Sequence, residues 1–361
     1  MKNKINNIKD NNFKLKENNN KNNIYNNNEN EDNFSNPKKI KLLNKINDSY
    51  SKYLLPNAFS IFKSINNILY LIYSNKNKSI ICYDLIQNKK INEIKNAHNK
   101  YITNFRYYLD KINLRDLILS ISAYGNNIKL WNINNLNCLL HIKNINKNGY
   151  LYSACFMNFN NNNYIITSNE HFELPDPIKV YDFKGNKIKE INDSFDYTYY
   201  IDNYYDKKSY KYYIIAGNLG YIKSYDYNED QIYYIYSDDD DNKCHDCALI
   251  YDKEEIIKLI DSSEDGNIRI WNFHSGKLLK IIEVSDKKLY EICLWNKEYL
   301  FIGCSDKSIK LLNLRNGIII KELTGHNNVV ISIKKINHPK YGQYLISQGY
   351  DKDPIIIWEI K

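Results

Sequence analysis

The chain has 361 residues, 43% of them hydrophobic and 25% charged, with a formal net charge of +8. Those proportions fit a soluble globular body, and no apolar run approaches the length of a membrane span. The surplus Lys is interleaved with Asp and Glu and never forms a block of five like basic charges, which weighs against a protein built to hold nucleic acid by charge.

The N-terminus, Met-Lys-Asn-Lys-Ile, has no apolar stretch behind its charges and does not read as a secretory signal. Residues 1–36 hold 16 Asn, with six Lys against five acids, and few large apolar side chains. Such a segment cannot bury enough surface to offset the entropy of ordering, so it is expected to be a disordered Asn/Lys-rich low-complexity tail. The seven cysteines are odd in number and most lie inside apolar runs, as in Ile81-Cys82-Tyr83. That predicts reduced, buried thiols in an intracellular protein, cytoplasmic or nuclear. An Asn77-Lys78-Ser79 match to the glycosylation sequon then carries no sugar.

From residue 37 to 361 short Ile-, Tyr-, Leu- and Val-rich runs alternate with Asn, Asp, Gly and Lys turns. The pattern predicts strands throughout, with no long helical period. Aligned, the runs end in an aromatic or Leu followed by a small polar or acidic residue: Tyr83-Asp84, Trp131-Asn132, Tyr181-Asp182, Tyr225-Asp226, Trp271-Asn272, Leu312-Asn313 and Trp358-Glu359. The spacings are 48, 50, 44, 46, 41 and 46 residues. Seven units at the period of a four-stranded blade predict an all-β, seven-bladed β-propeller. The 34 Tyr are read as β-propensity plus a chain-wide bias toward Asn, Lys, Ile and Tyr, not as a stacking platform.

These endings resemble the WD dipeptide of WD40 repeats. So do the turns before them, Ser263-Glu264-Asp265-Gly266 and Ser305-Asp306-Lys307-Ser308, and the Gly325-His326 pair 32 residues before Trp358. The resemblance implies that an N-terminal strand completes the last blade. Lys38–Ile46 is the candidate, because the seventh unit stops two residues after Trp358-Glu359 and an unclosed ring leaves two unpaired edges.

His245, Ser263, Asp265 and Trp271 imitate a nucleophilic triad by type. In the repeats resembled, such positions form a buried hydrogen-bond network, so a structural role is expected, with counterparts His98 and Trp131, Asp306, and His326, Asp351 and Trp358. Gly125 stands where the second unit would carry its turn acid. Cys244-His245-Asp246-Cys247 lacks a second ligand pair at zinc spacing, so no metal is expected. Gly217-Asn218-Leu219-Gly220 has neither P-loop nor dinucleotide spacing, and no cofactor is expected. Leu312-Asn313-Leu314-Arg315 distantly resembles the WDxR signature of propellers that act as substrate receptors of cullin-type ubiquitin ligases.

By the resemblance, contacts belong on the face carrying the residue before each turn acid and the start of each inner strand. That selects Tyr101, Tyr124, Asn218, Glu264, Ser305, Asn328 and Tyr350 as protein-binding candidates. The expected function is a non-enzymatic protein–protein interaction scaffold, monomeric within a multiprotein complex, binding proteins or peptides and no membrane. The rivals are a nucleic-acid-associated propeller in an RNA-binding complex and the ubiquitin-ligase receptor.

Overall fold

The computed structural model describes residues 37, 39–146, 150–168, 177–192, 198–238, 245–252, 254–338 and 342–361. The expected tail, Cys244 and most of the acidic run Asp238–Asp241 lie outside them.

Seven four-stranded antiparallel sheets form the fold. In chain order they occupy residues 59–94, 104–143, 154–191, 200–236, 245–283 and 289–323, and the seventh combines 330–360 with Ile40–Ile46. Within each of the first six, the strands follow one another in sequence from the inner strand outward. The second and third strands are nearly continuous apolar runs, such as Leu69–Ser74 and Ile80–Asp84, because neighbouring blades cover both their faces. Outer strands such as Lys89–Ile94 and Ile318–Leu323 expose half or more of their side chains.

Every expected ending sits at a bulge. The ladder between third and outer strand slips by a residue at Cys82/Tyr83, Leu130/Trp131, Val180/Tyr181, Ser224/Tyr225, Ile270/Trp271 and Leu311/Leu312. In the seventh blade the slip falls between Leu42 and Asn44, opposite Trp358 and Ile357. A bulge adds local twist, and its recurrence at the conserved type of residue makes the sevenfold repeat structural as well as sequential.

The ring closes as expected. Ile40–Ile46 pairs antiparallel with Ile355–Ile360, with Leu42 opposite Trp358 and Ile46 opposite Ile355. Outside the strand proper, Lys39 and Lys361 exchange two backbone bonds of 2.7 and 2.8 Å. The alternating burial of the strand sends Leu42 and Ile46 inward and Leu43 outward, so one register is specified.

Candidate functional site

Polar clusters inside the blades come first, because they fix the loops. In the second blade, Trp131 Nε1–H donates to Ser120 Oγ at 2.8 Å, and His98 Nε2 lies 2.7 Å from the same hydroxyl. His98 Nδ1 lies 2.7 Å from Asn127 Oδ1. A neutral imidazole protonated at Nδ1 satisfies every link of that chain. Burial, then the Lys129 ammonium, hold His98 near a pKa of about 3 against the weaker opposing pull of Asn127. The seventh blade repeats the chain through Trp358, Ser347, His326 and Asp353, at 2.8, 2.7 and 2.5 Å.

Three expected assignments are corrected. Asn127, not the Gly125 position, serves the second blade, because a 3-10 turn at Ala123–Gly125 carries the chain past that point. Asp353, not Asp351, serves the seventh. Asp351 instead pairs its backbone with Ser51, and the Asp353 carboxylate folds back to accept from Asn327 N–H at 2.9 Å. In the fifth blade Asp261 bridges His245 Nδ1 at 3.0 Å and Trp271 Nε1–H at 2.6 Å. Asp261, Ser120 and Ser347 are equivalent by register, since each faces the residue two before the tryptophan. Ser263 lies two residues further along, and its hydroxyl has no partner among the described residues.

Asp265 lies outside the His245 cluster and holds Arg269 Nη2 at 2.5 Å. Asp306 does the same for Lys310 at 2.9 Å in the sixth blade. Burial raises both carboxyls, but Arg269 and Asn267 at Asp265, and Ser308 and then Lys310 at Asp306, outweigh it and bring them below the usual range. Ile302 stands at the register position of Asp261 in that blade, facing Lys310, and Leu312 replaces the tryptophan. Loss of the acceptor therefore goes with loss of the indole donor.

The loops so fixed carry a ridge of tyrosines on the face formed by the second-to-third-strand turns and the blade crossings. Tyr50 and Tyr101 meet at 5.1 Å between centroids. Tyr53 stacks on Tyr124 at 4.2 Å, Tyr124 meets Tyr150 edge-on at 4.7 Å, and Tyr150, Tyr152 and Tyr199 continue at 6.5 and 5.6 Å. The ridge runs from the segment ahead of the first blade to the start of the fourth.

Its backbone is held on both sides of Tyr124. Ser122 Oγ–H donates to Tyr101 O at 3.0 Å, Leu151 N–H to Ala123 O at 3.1 Å, and Asn126 and Asn146 exchange bonds of 2.6 and 2.9 Å. Lys129 and Lys179, each two residues before a blade's terminal aromatic, reach the preceding crossing at Ala97 O and Ile145 O, both at 2.6 Å. Such prior fixing lowers the entropy lost on contact.

Tyr101 and Tyr350 are half-buried on this face and Tyr124 is 43% exposed. Glu264 is exposed, while Ser305 and Asn328 are half-buried, all three remote from the ridge in sequence. Asn218 is corrected: it is 1% exposed. Its Oδ1 accepts from Thr198 Oγ1–H at 3.0 Å and its carbonyl from His245 N–H at 3.1 Å, so it joins two blades instead of facing solvent. Tyr50, Tyr53, Tyr150, Tyr152 and Tyr199 were not singled out by sequence. Their signal was position, since all five lie in the few residues ahead of an inner strand.

The central channel is the other candidate. It encloses about 290 Å³ and is crossed by an ion network. Arg106 donates to Asn57 Oδ1 at 2.9 Å and to Ala154 and Ile201 carbonyls at 3.0 Å. Lys334 joins Asn57 Oδ1 and Glu291 Oε1 at 2.8 and 2.9 Å. These groups come from five blades and the segment ahead of the first, and they bond to one another across the channel, while Asn57 Nδ2 is buried with no partner among the described residues. The channel thiols Cys155 and Cys247 are pushed well up by burial, which disfavours the reactive thiolate. Among the described residues, no group of three or more His, Cys, Asp or Glu is placed to hold a metal ion.

The fold and its loops thus define a closed seven-bladed β-propeller with one aromatic, pre-arranged face. A stretch of 102 residues, 28% of this chain, is 24% identical to the U3 small nucleolar RNA-associated protein 21 homolog of Schizosaccharomyces pombe. The match spans only 11% of that protein's length. No protein-family model matches the chain.

Proposed function

We propose that the chain is a WD40-type propeller acting as a non-enzymatic protein-binding scaffold, one subunit of a larger complex, with its partner seated on the tyrosine face. The observation that carries this reading is the ridge Tyr53–Tyr124–Tyr150–Tyr152–Tyr199, contiguous over several blades and set on loops bonded to one another. Tyrosine gives large contact area with few rotors to freeze, which suits it as an anchor. The reading is further supported by the consumption of the catalytic-looking residues in core bonds: His245 and Trp271 share Asp261, and Asp265 is held by Arg269. The fission-yeast relative is named for association with a nucleolar RNA, which favours a nuclear place for this chain.

The test is capture of partners from native cell extract by the full chain. Tyr53→Ala with Tyr124→Ala should reduce the captured partner roughly tenfold, as loss of central anchors does. Ile112→Ala with Tyr210→Ala, at turns on the opposite face where these side chains are 81% and 74% exposed, should leave capture unchanged. The reverse pattern would overturn the reading.

A further inference from the structure

The tyrosine face is unevenly charged, and we propose that it takes an acidic peptide segment whose carboxylates are anchored by a lysine cluster between the first and second blades. The proposal rests on the partner-binding reading above and names the partner's chemistry. An open depression of about 880 Å³ adjoins Tyr101. Lys76 and Lys78 line it from the first blade's second-to-third-strand turn, and Lys95 from the crossing into the second blade. Lys52 adds a fourth ammonium, 5.2 Å from the Tyr101 centroid.

Glu93 is the acid among the lining residues, and Lys90 already holds its carboxylate at 2.6 Å. Among the described residues, Lys52, Lys76, Lys78 and Lys95 form no ion pair with a carboxylate, although Lys90 and Ser79, and after them Lys95, help hold the Glu93 carboxyl below its usual range. On the far side of the same face the exposed Asp286 is matched by Lys287 at 3.3 Å. A ligand lying along the ridge therefore meets positive charge without a matching carboxylate at the Tyr101 end and matched charge at Asp286 and Lys287. That asymmetry suits a peptide with its acids at one end.

The ring geometry also favours peptide over single-stranded RNA. A base-stacking platform needs free ring faces. Here Tyr53 and Tyr124 are stacked face to face within 16° of parallel, and Tyr101 carries Lys52 and Lys78 at 5.2 and 5.7 Å from its centroid. At Tyr53, Tyr124 and Tyr101 at least one face is therefore already covered.

Fluorescence anisotropy on the full chain tests this, with a labelled peptide of alternating Glu and Leu and a labelled oligouridylate as probes. The peptide should bind, weaken with added salt, and bind roughly tenfold more weakly to the Lys76→Glu, Lys78→Glu, Lys95→Glu variant. Lys76→Gln with Lys95→Gln, which introduces no repulsion, should show a smaller loss at an unchanged melting temperature. No peptide binding, an affinity indifferent to the lysine variants, or tighter binding of oligouridylate than of peptide would overturn the proposal. Native-partner capture separates its failure from that of the underlying reading. If the tyrosine variants abolish capture and the lysine variants leave it intact, only the acidic-segment proposal falls; if neither changes capture, both fall.

Discussion

His98 shows how much one buried side chain fixes. It is 2% exposed, and its two ring nitrogens tie the crossing between blades to Asn127 and Ser120. With its pKa lowered to about 3 in the fold, chiefly by burial, it stays neutral there while the unfolded chain's imidazole titrates near 6.5. A depressed histidine gives stability that is complete above the unfolded pKa and is lost as pH falls toward the folded one. The loss between about pH 7 and about pH 5 should be roughly 2 kcal/mol. Urea unfolding across that interval should show the decline, and His98→Gln should flatten it. A slope unaffected by that substitution would contradict the neutral, buried imidazole.

The same scale explains which residues the sequence disclosed. Trp131, Trp271 and Trp358 were legible because they recur at the blade period, and their indoles do anchor the clusters. The acidic members were not, because counting back from the tryptophan assumes a turn of fixed length. The seventh blade's turn places Asp353 instead of Asp351, and the fifth moves the carboxylate from the turn into the second strand at Asp261. Register supplies that equivalence, and register is a property of pairing that composition does not carry.

At the scale of elements, the ring depends on the strand Ile40–Ile46, which the sequence did announce. The need to pair the seventh blade's outer edge pointed to it, and its alternating burial followed from the pairing. Leu42 and Ile46 pack into the seams on either side of the seventh blade, while the neighbouring Leu43 is 50% exposed. Leu42→Asp with Ile46→Asp should destabilise the chain by about 3–5 kcal/mol, by losing apolar burial and forcing carboxylates against it. Leu43→Asp should stay within about 0.5 kcal/mol of the parent. Urea midpoints measure both. Equal effects would mean that this strand does not close the ring in the register described.

The bulges at the seven endings belong to this scale too. The sequence marked their positions as a change from β-branched residues to an aromatic, yet gave no sign that the ladder slips there. Lys129 and Lys179 are similar. The reach of each to the previous crossing needs the curvature of the blade.

For the whole molecule, the circular array was the most legible feature, because seven in-phase units admit few other architectures. The tyrosine face was the least legible. A chain-wide surplus of Tyr hid it, and the rings that touch come from segments as distant as Tyr53 and Tyr199. Only closure of the ring brings those crossings side by side. Read locally, Tyr101, Tyr124 and Tyr350 looked like separate rim residues.

The central claim is that this propeller holds its partner on the tyrosine face. Hydrogen exchange of the purified chain, free and bound to a captured partner, addresses it most directly. Binding should slow exchange at residues 50–53, 99–103, 123–126, 150–153 and 198–199, while the turns at 110–115 and 206–211 on the opposite face keep their free rates. Protection confined to those opposite turns, with the tyrosine segments unchanged, would contradict it.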